Sequence, residues 1–382
     1  MGQAILSTGF TWLDEAELAQ GERIGAYSIM LPYQERVEQI STYFADRRTN
    51  VNYSALANAT EALSSMYMGP PLASTSLERA FDEMPKNTNL GLPWATSEKE
   101  YRPQVLEKAF ELKRGGYISR YLDPCLLYWR GQPRGIGEIP KQRTVWGFPH
   151  YITILELSVQ IPLLAALKEL DDFCAWVGPD RVDNVVTNIL ATSRYEILSV
   201  DFSGFDASVP GVLINIVFDV LKGWFKGRCH PLIEYLRYVF MNIPLLTPRG
   251  IITRNDGGIP SGSGLTNLVG GLVQKLAMFY TANRMGNYVE RHLVQGDDGV
   301  VTFTQPWDLS KVEQYMSEVN LTLHSDKGGV SNERVYYLQN IHSADYLING
   351  VARGVRPLMR VLSGALSYER FRKKWNSFDD TL

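Results

Sequence analysis

Two short acidic stretches could hold a cation. In SVDFSGFDASV, Asp201 directly follows the apolar run YEILSV, and Asp206 returns five residues later after a glycine turn. A carboxylate at a strand end is a rigid mount for a hard ion such as Mg²⁺, which takes a few oxygen ligands and keeps several waters. In VQGDDGVV, Asp297 and Asp298 are adjacent on a tight turn between apolar β-type residues. Their mutual repulsion costs stability unless a cation neutralises them. Taken alone, DFSGFD also reads as a helix start with Asp as its N-cap, and Asp-Asp as a plain turn. Together they predict carboxylates from two separate strands meeting at one metal site.

Two further stretches suit a nucleotide. GGIPSGSGLTNLVGG is a glycine and serine loop running into a helix. Its small residues let the backbone approach a ligand closely, and Ser261, Thr266 and Asn267 offer polar groups to a ribose or phosphate. A flexible loop ending in a helix cap would look the same. EIPKQRTVWG puts Lys141 and Arg143 two apart on one side of an extended segment. Arg supplies a fork of donors and Lys a point charge, a pairing that suits a triphosphate. An exposed edge strand also carries such residues.

Particular elements must position these groups. Apolar residues recur at helical spacing from Glu35 to Met66, and SLERAFDEM (Ser76 to Met84) reads as another helix. NTNLGLPW, beginning at Asn87, is turn-rich. Tyr151 to Asp171, Val182 to Ala191, Leu213 to Phe225, Leu265 to Met285 and Lys311 to Asn320 read as helices. Tyr195 to Val200 reads as a buried strand. His292 to Gln295 and Gly299 to Phe303 read as a hairpin with Asp297 and Asp298 at its tip. The order predicts an α+β sheet with helices packed on one face.

The bulk properties narrow the function. At 382 residues and 45% hydrophobic composition the chain can bury a large core in two or three lobes. Glu15, Glu17 and Glu22 interrupt the N-terminal stretch, which argues against a signal peptide. Glu156, Gln160 and Lys168 make Tyr151 to Leu170 too polar to cross a bilayer unaided, so a soluble protein is expected. Cys125, Cys174 and Cys229 are too scattered for a disulfide framework or a structural zinc. The five histidines show no ligand spacing and read as ordinary core or surface residues. Trp146 or Tyr151, near the basic strand, is a candidate for stacking on bases, although core packing is the commoner role for aromatic residues. Net charge is −3, so attraction to nucleic acid must be local. Nine basic residues against four acidic ones lie between Tyr101 and His150, and seven against one between Arg353 and Lys374.

The order of these features, namely basic strand, Asp-x4-Asp, Ser-Gly loop with Thr, GDD hairpin and then a Lys in LTLHSDKGG, resembles the right-hand RNA-dependent RNA polymerases of RNA viruses. The likeness covers about Asn87 to Arg360. IPSGSGLTN and RGVRPLMRVLSG look most like the double-stranded RNA viruses called picobirnaviruses and partitiviruses. The resemblance implies fingers over 1–194 with an N-terminal extension, palm over 195–212, a fingers insertion over 213–256, palm over 257–345 and the start of a thumb over 346–382. Only about eighty residues follow the GDD turn, so that thumb is expected to be short or truncated.

By the same resemblance Asp201 binds both of two Mg²⁺ ions, which Mn²⁺ could replace; Asp297 is a ligand and Asp298 stands nearer the periphery. Asp206 senses the ribose 2′-hydroxyl. Ser261, Gly262 and Thr266 contact the incoming nucleotide and the template, Lys141 and Arg143 grip the triphosphate, and Lys327 protonates departing pyrophosphate. Thr88 and Gly91 guide the template. One departure stands out: the Asn expected nine positions after Ser261 is Gly270, so Asn267 is the candidate for that ribose contact. The implied partners are an RNA template, the nascent RNA and NTPs, with a viral capsid protein as a further candidate and no membrane; the implied location is the virion interior or host cytoplasm. A reverse transcriptase and a non-catalytic RNA-binding replication protein are the competing readings. The Ser-Gly loop and Asp206 count against the first, and the intact Asp201, Asp297 and Lys141 against the second.

Overall fold

The computed structural model describes residues 8–22, 31–132, 139, 141–253, 257–324 and 329–366. Helices α1 (Thr11–Glu22), α2 (Tyr33–Thr42), α3 (Tyr53–Ser64), α4 (Leu77–Glu83) and α5 (Arg102–Arg114) come first. They are followed by α6 (His150–Leu167), α7 (Pro179–Thr192), the single-turn α8 (Phe205–Ser208), α9 (Gly211–Trp224) and α10 (His230–Asn242). The last are α11 (Thr266–Arg284), α12 (Leu309–Glu318) and α13 (Leu358–Leu366). The strands used below are β1 (Cys125–Gln132), β2 (Lys141–Gly147), β3 (Ile197–Val200), β4 (Leu245–Thr247), β5 (Gly250–Ile252), β6 (Val289–Gln295), β7 (Asp298–Phe303), β8 (Gly329–Ser331) and β9 (Arg334–Tyr337).

The chain forms two compact units. Met1–Ser41, Tyr128–Val145 and Val355–Leu382 make one, and Thr42–Leu127 with Trp146–Gly354 the other. In the first, α1 packs on α13. The Glu17 carboxylate accepts the Leu358 and Met359 backbone N–H groups at 2.5 and 2.8 Å, and so satisfies donors that a helix start leaves open. In the second, the opening residues of β1 pair in parallel with β4, and β4 folds back antiparallel on β5.

The sheet that matters for function is antiparallel throughout, in the order β6-β7-β3-β8. All four residues of β3 are buried, as are five of the six in β7. A strand buried at both parities needs cover on both faces. Leu293, Val300 and Ile197 pack with Val182, Val185, Val186 and Ile189 of α7, together with Cys174 and Tyr337. On the opposite parity, Val294 and Gly299 lie against Gly271 and Gln274 of α11. The expected one-sided packing is thus corrected to a sheet between helices, for a reason already present in its strands, where apolar residues occupy both parities of β3 and β7.

Most elements fall where their periodicity places them, including the strand before Asp201 and both arms of the hairpin. The helical stretch from Glu35 to Met66 is instead two helices, α2 and α3. The polar run from Asp46 to Asn50 cannot bury a face, and Asn52 then starts α3 by accepting the Ala55 N–H at 3.0 Å. The basic segment after Tyr101 opens with the unanticipated α5, whose buried stripe is only Val105 and Ala109. Helix α6, long and apolar enough to cross a membrane, is largely buried within the protein.

Candidate active site

Strand β3 delivers Asp201. Val200 lies opposite Gly299 of β7, so the next position sets Asp201 across from Asp298 and beside the Gly296–Asp297 turn. Gln295 and Asp298 pair across that turn, and Gly296 takes φ +65° at its first position, a conformation that glycine adopts without strain. Beyond β3 the chain stays extended against the segment leading toward Lys327. Phe202 bridges Leu323, the His324 N–H donates to the Asp201 carbonyl at 2.8 Å, and the Ser203 N–H donates to the Thr322 carbonyl at 2.9 Å.

Asp201 Oδ2 is buried and has no hydrogen-bond partner among the described residues. Asp201 lines a cavity of about 40 Å³ together with Ser199, Glu313 of α12 and His324. A buried carboxylate oxygen without a donor is costly, and a cation is its natural complement. Among the described residues no group of three or more His, Cys, Asp or Glu side chains gathers around an ion position. A pair of carboxylates suits Mg²⁺, which completes its shell with water and substrate phosphates. Asp298 lies on the Tyr337 side of the sheet, where its charge adds to the burial that pushes the Tyr337 hydroxyl pKa well up.

The Ser-Gly loop is fastened from three sides. Its first residues dock on the Asp-x4-Asp turn, where the Ile259 N–H donates to the Asp206 carbonyl at 2.6 Å and the Gly258 N–H to the Val209 carbonyl at 2.7 Å. The middle is pressed on Trp146: its N–H donates to the Ser261 carbonyl at 2.9 Å, and a Cβ on Gly262 (φ +142°) would stand 2.0 Å from the Trp146 carbonyl oxygen. The far end hangs on Glu156 of α6, which accepts Ser263 Oγ at 2.5 Å and the Gly264 N–H at 2.8 Å. Burial pushes the Glu156 carboxyl up to about 7, against the lowering effect of those two hydrogen bonds. Thr266 Oγ1 donates to the Pro260 carbonyl at 2.8 Å, closing the loop over the start of α11.

Helix α11 then meets the hairpin. Asn267 is exposed, with Oδ1 3.0 Å from where a Cβ on Gly296 would stand. One turn on, a Cβ at Gly270 would already touch Phe205, Gly296 and Ile259. Position 270 is thus packed at ordinary van der Waals distance against the hairpin turn, and the Asn267 amide stands beside Gly296 at its tip.

A family model for viral RNA-dependent RNA polymerases matches residues 31–364. The chain belongs to that family. The polymerase is 28% identical over 379 residues to a potential RNA-dependent RNA polymerase of Human picobirnavirus (strain Human/Thailand/Hy005102/-), an alignment covering 96% of this chain and 70% of the relative. It is 29% identical over 318 residues to the RNA-directed RNA polymerase of Cryptosporidium parvum virus 1 (strain KSU-1), covering 77% of this chain and 59% of that one. Its fold matches a crystal structure of the insertion loop deletion mutant of a human picobirnavirus RNA-dependent RNA polymerase with a TM-score of 0.83 and 27% identity, over 96% of this chain and 74% of that one. The fold is therefore the α+β right-hand polymerase fold, and the picobirnavirus likeness read from the motifs is met by these relatives.

Of the residues expected in the polymerase site, Asp201, Asp206, Ser261, Gly262, Thr266, Asn267, Asp297 and Asp298 all belong to the second unit: Asp201, Asp297 and Asp298 at the β3–β7 end of the sheet, Asn267 beside Gly296, and Ser261, Gly262 and Thr266 on the loop that docks on the Asp206 turn and on Trp146. Thr88 and Gly91 share a tight loop over the start of α6. Thr88 Oγ1 is 3.4 Å from His150 Nε2, and the Gly91 backbone packs on the Phe148 carbonyl. Arg143 is exposed on β2 in the first unit, Lys141 opens that strand, and Lys327 lies outside the described residues. Stacking by Trp146 or Tyr151 is corrected. Both are buried; the Trp146 ring meets Tyr43 edge-on at 5.8 Å, and the Tyr151 hydroxyl donates to Asp123 at 2.9 Å. Glu156 was missed as a site residue, having counted only as a polar break in an apolar helix. A lone acid in that context was the signal.

Proposed function

We propose that this polymerase joins nucleotides on an RNA template by two-metal catalysis, with Asp201 and Asp297 as metal ligands and Asp298 beside them, for replication and transcription of a viral RNA genome. The observation that carries the reading is the Asp201 carboxylate, set by strand register against the Gly-Asp-Asp turn with one buried oxygen lacking a donor. When bound, two Mg²⁺ or Mn²⁺ ions would lower the pKa of the RNA 3′-hydroxyl and neutralise charge on the triphosphate. The chain's own contribution is placement. In this reading Asp206 and Asn267 read the ribose, and Ser261, Gly262 and Thr266 hold the incoming nucleotide and template on a loop that Trp146 and Glu156 keep in shape. Attack on the α-phosphorus then expels pyrophosphate, with Lys327 as its proton donor.

The roles of Lys141 and Arg143 on the triphosphate, of Thr88 and Gly91 on the template, and the division into fingers (1–194 and 213–256), palm (195–212 and 257–345) and start of thumb (346–382) come from the family resemblance. So do the virion interior or host cytoplasm as location and a capsid protein as partner beside RNA and NTPs.

Primer extension with Mg²⁺ and labelled NTPs tests the reading. Asp201→Asn and Asp297→Asn are each expected to reduce extension below detection while leaving RNA binding within about twofold, since positioning and electrostatics supply nearly all of the rate. RNA binding without any extension by the unaltered chain would favour a non-catalytic replication protein, and preference for dNTPs a reverse transcriptase.

A further inference from the structure

Gln274 lies in the middle of α11 and is fully buried. Its Nε2 donates to the main-chain carbonyl of Asp297 at 2.6 Å, while Oε1 is 3.1 Å from His292 Nε2. A carbonyl can only accept, so the amide orientation is settled and Oε1 must be the acceptor of the second bond. His292 therefore carries its proton on Nε2. Burial, with the nearby Lys275 charge, holds its pKa well below the usual value and keeps the ring neutral. Lys275 Nζ in turn donates to the His292 carbonyl at 2.9 Å and pairs with Asp172 at 2.9 Å.

The glycine after the acidic pair completes the fitting. A Cβ on Gly299 would stand 2.5 Å from Gln274 Oε1 and 3.0 Å from its amide carbon. The amide thus reaches the turn only because position 299 has no side chain. That hydrogen bond ties the Asp297 peptide plane to the middle of α11, at a two-residue turn whose leading glycine has wide backbone freedom.

We propose that Gln274 is a positioning residue for nucleotidyl transfer, clamping the Asp297 carbonyl so that the metal-binding side of the Gly296–Asp297 turn faces Asp201, with Gly299 as the gap that admits the clamp. The inference rests on the assignment of Asp297 as a metal ligand. Gln274 itself touches no substrate.

The test compares the full chain with Gln274→Leu, Gly299→Ala and Asp297→Ala, measuring Mn²⁺ binding by electron paramagnetic resonance without NTP, and kcat and KM in primer extension. Gln274→Leu removes the donor, and Gly299→Ala displaces it without deleting a polar group. Each is expected to weaken Mn²⁺ binding and lower kcat by about tenfold or more, the scale of one lost buried hydrogen bond, with KM for NTP within about twofold. If Gln274→Leu loses its folded circular dichroism spectrum, Gln274→Met and Gly299→Ala carry the comparison. Wild-type Mn²⁺ affinity and kcat in the folded variants, with Asp297→Ala inactive, would overturn the clamp alone. An active Asp297→Ala would overturn the clamp together with the ligand assignment beneath it.

Discussion

Glu156 shows how a single side chain can couple the Ser-Gly loop to pH. Its carboxyl is raised from an ordinary 4.5 to about 7 because burial penalises the charged form. Between those values the folded chain holds a proton that the unfolded chain has released. Stability from this group is therefore full below about 4.5 and is lost as pH rises through about 7, by roughly 3 kcal/mol over the window. Glutamine keeps an acceptor for the Gly264 N–H and a donor for Ser263 Oγ but cannot titrate. Glu156→Gln is thus expected to melt progressively higher relative to wild type as pH is raised from about 5 to 8. Thermal melts across that range check it, and curves that run parallel would show that Glu156 does not titrate there. Asp201 contrasts with Glu156: no donor among the described residues satisfies its buried Oδ2, whereas Glu156 accepts from Ser263 and Gly264.

At the scale of elements, the Ser-Gly loop is a strap held by backbone contacts more than by its own side chains. Gly262 sits at φ +142° with no space for a Cβ against the Trp146 carbonyl, a conformation worth roughly 1–3 kcal/mol of strain to any other residue. Gly262→Ala is expected to lower the melting temperature and to raise KM for NTP about tenfold, because the strap must lift off Trp146. Steady-state kinetics beside a thermal melt check this, and an unchanged KM would remove the loop from nucleotide binding. The hairpin, its acidic tip and the strand bearing Asp201 were legible because short runs of apolar, β-type residues and glycine turn chemistry are local signals. The break between α2 and α3 was hidden by apolar spacing that continues across it, and α5 by a charge content that leaves few apolar positions to reveal a face. Two-sided packing of the sheet was legible but misread: apolar residues at both parities of β3 and β7 already called for cover on both faces.

For the molecule as a whole, a net charge of −3 means that RNA cannot be drawn in by the average field. Binding must come from local basic stretches and so must depend on salt. RNA affinity is expected to fall by roughly 10³- to 10⁵-fold between about 50 and 200 mM salt, the response for about six to ten phosphate contacts. Filter binding across a salt series checks the slope, and a flat response would mean that bases rather than phosphates dominate. The sequence by itself determined the polymerase class, the acids at the ends of strands, the turn that carries two of them and the loop that follows the Asp-x4-Asp segment, since these depend on residue type and short-range spacing. Only the tertiary structure decided that Glu156 anchors that loop, that Trp146 lies buried beneath it, that Gln274 meets the Gly-Asp-Asp turn and that Gly270 packs against that turn while Asn267 stands beside Gly296. The contacts of Glu156 and Trp146 join positions more than a hundred residues apart, and those of Gln274 and Gly270 join a helix to a strand pair. Such choices are made by packing, which no local pattern in the chain encodes.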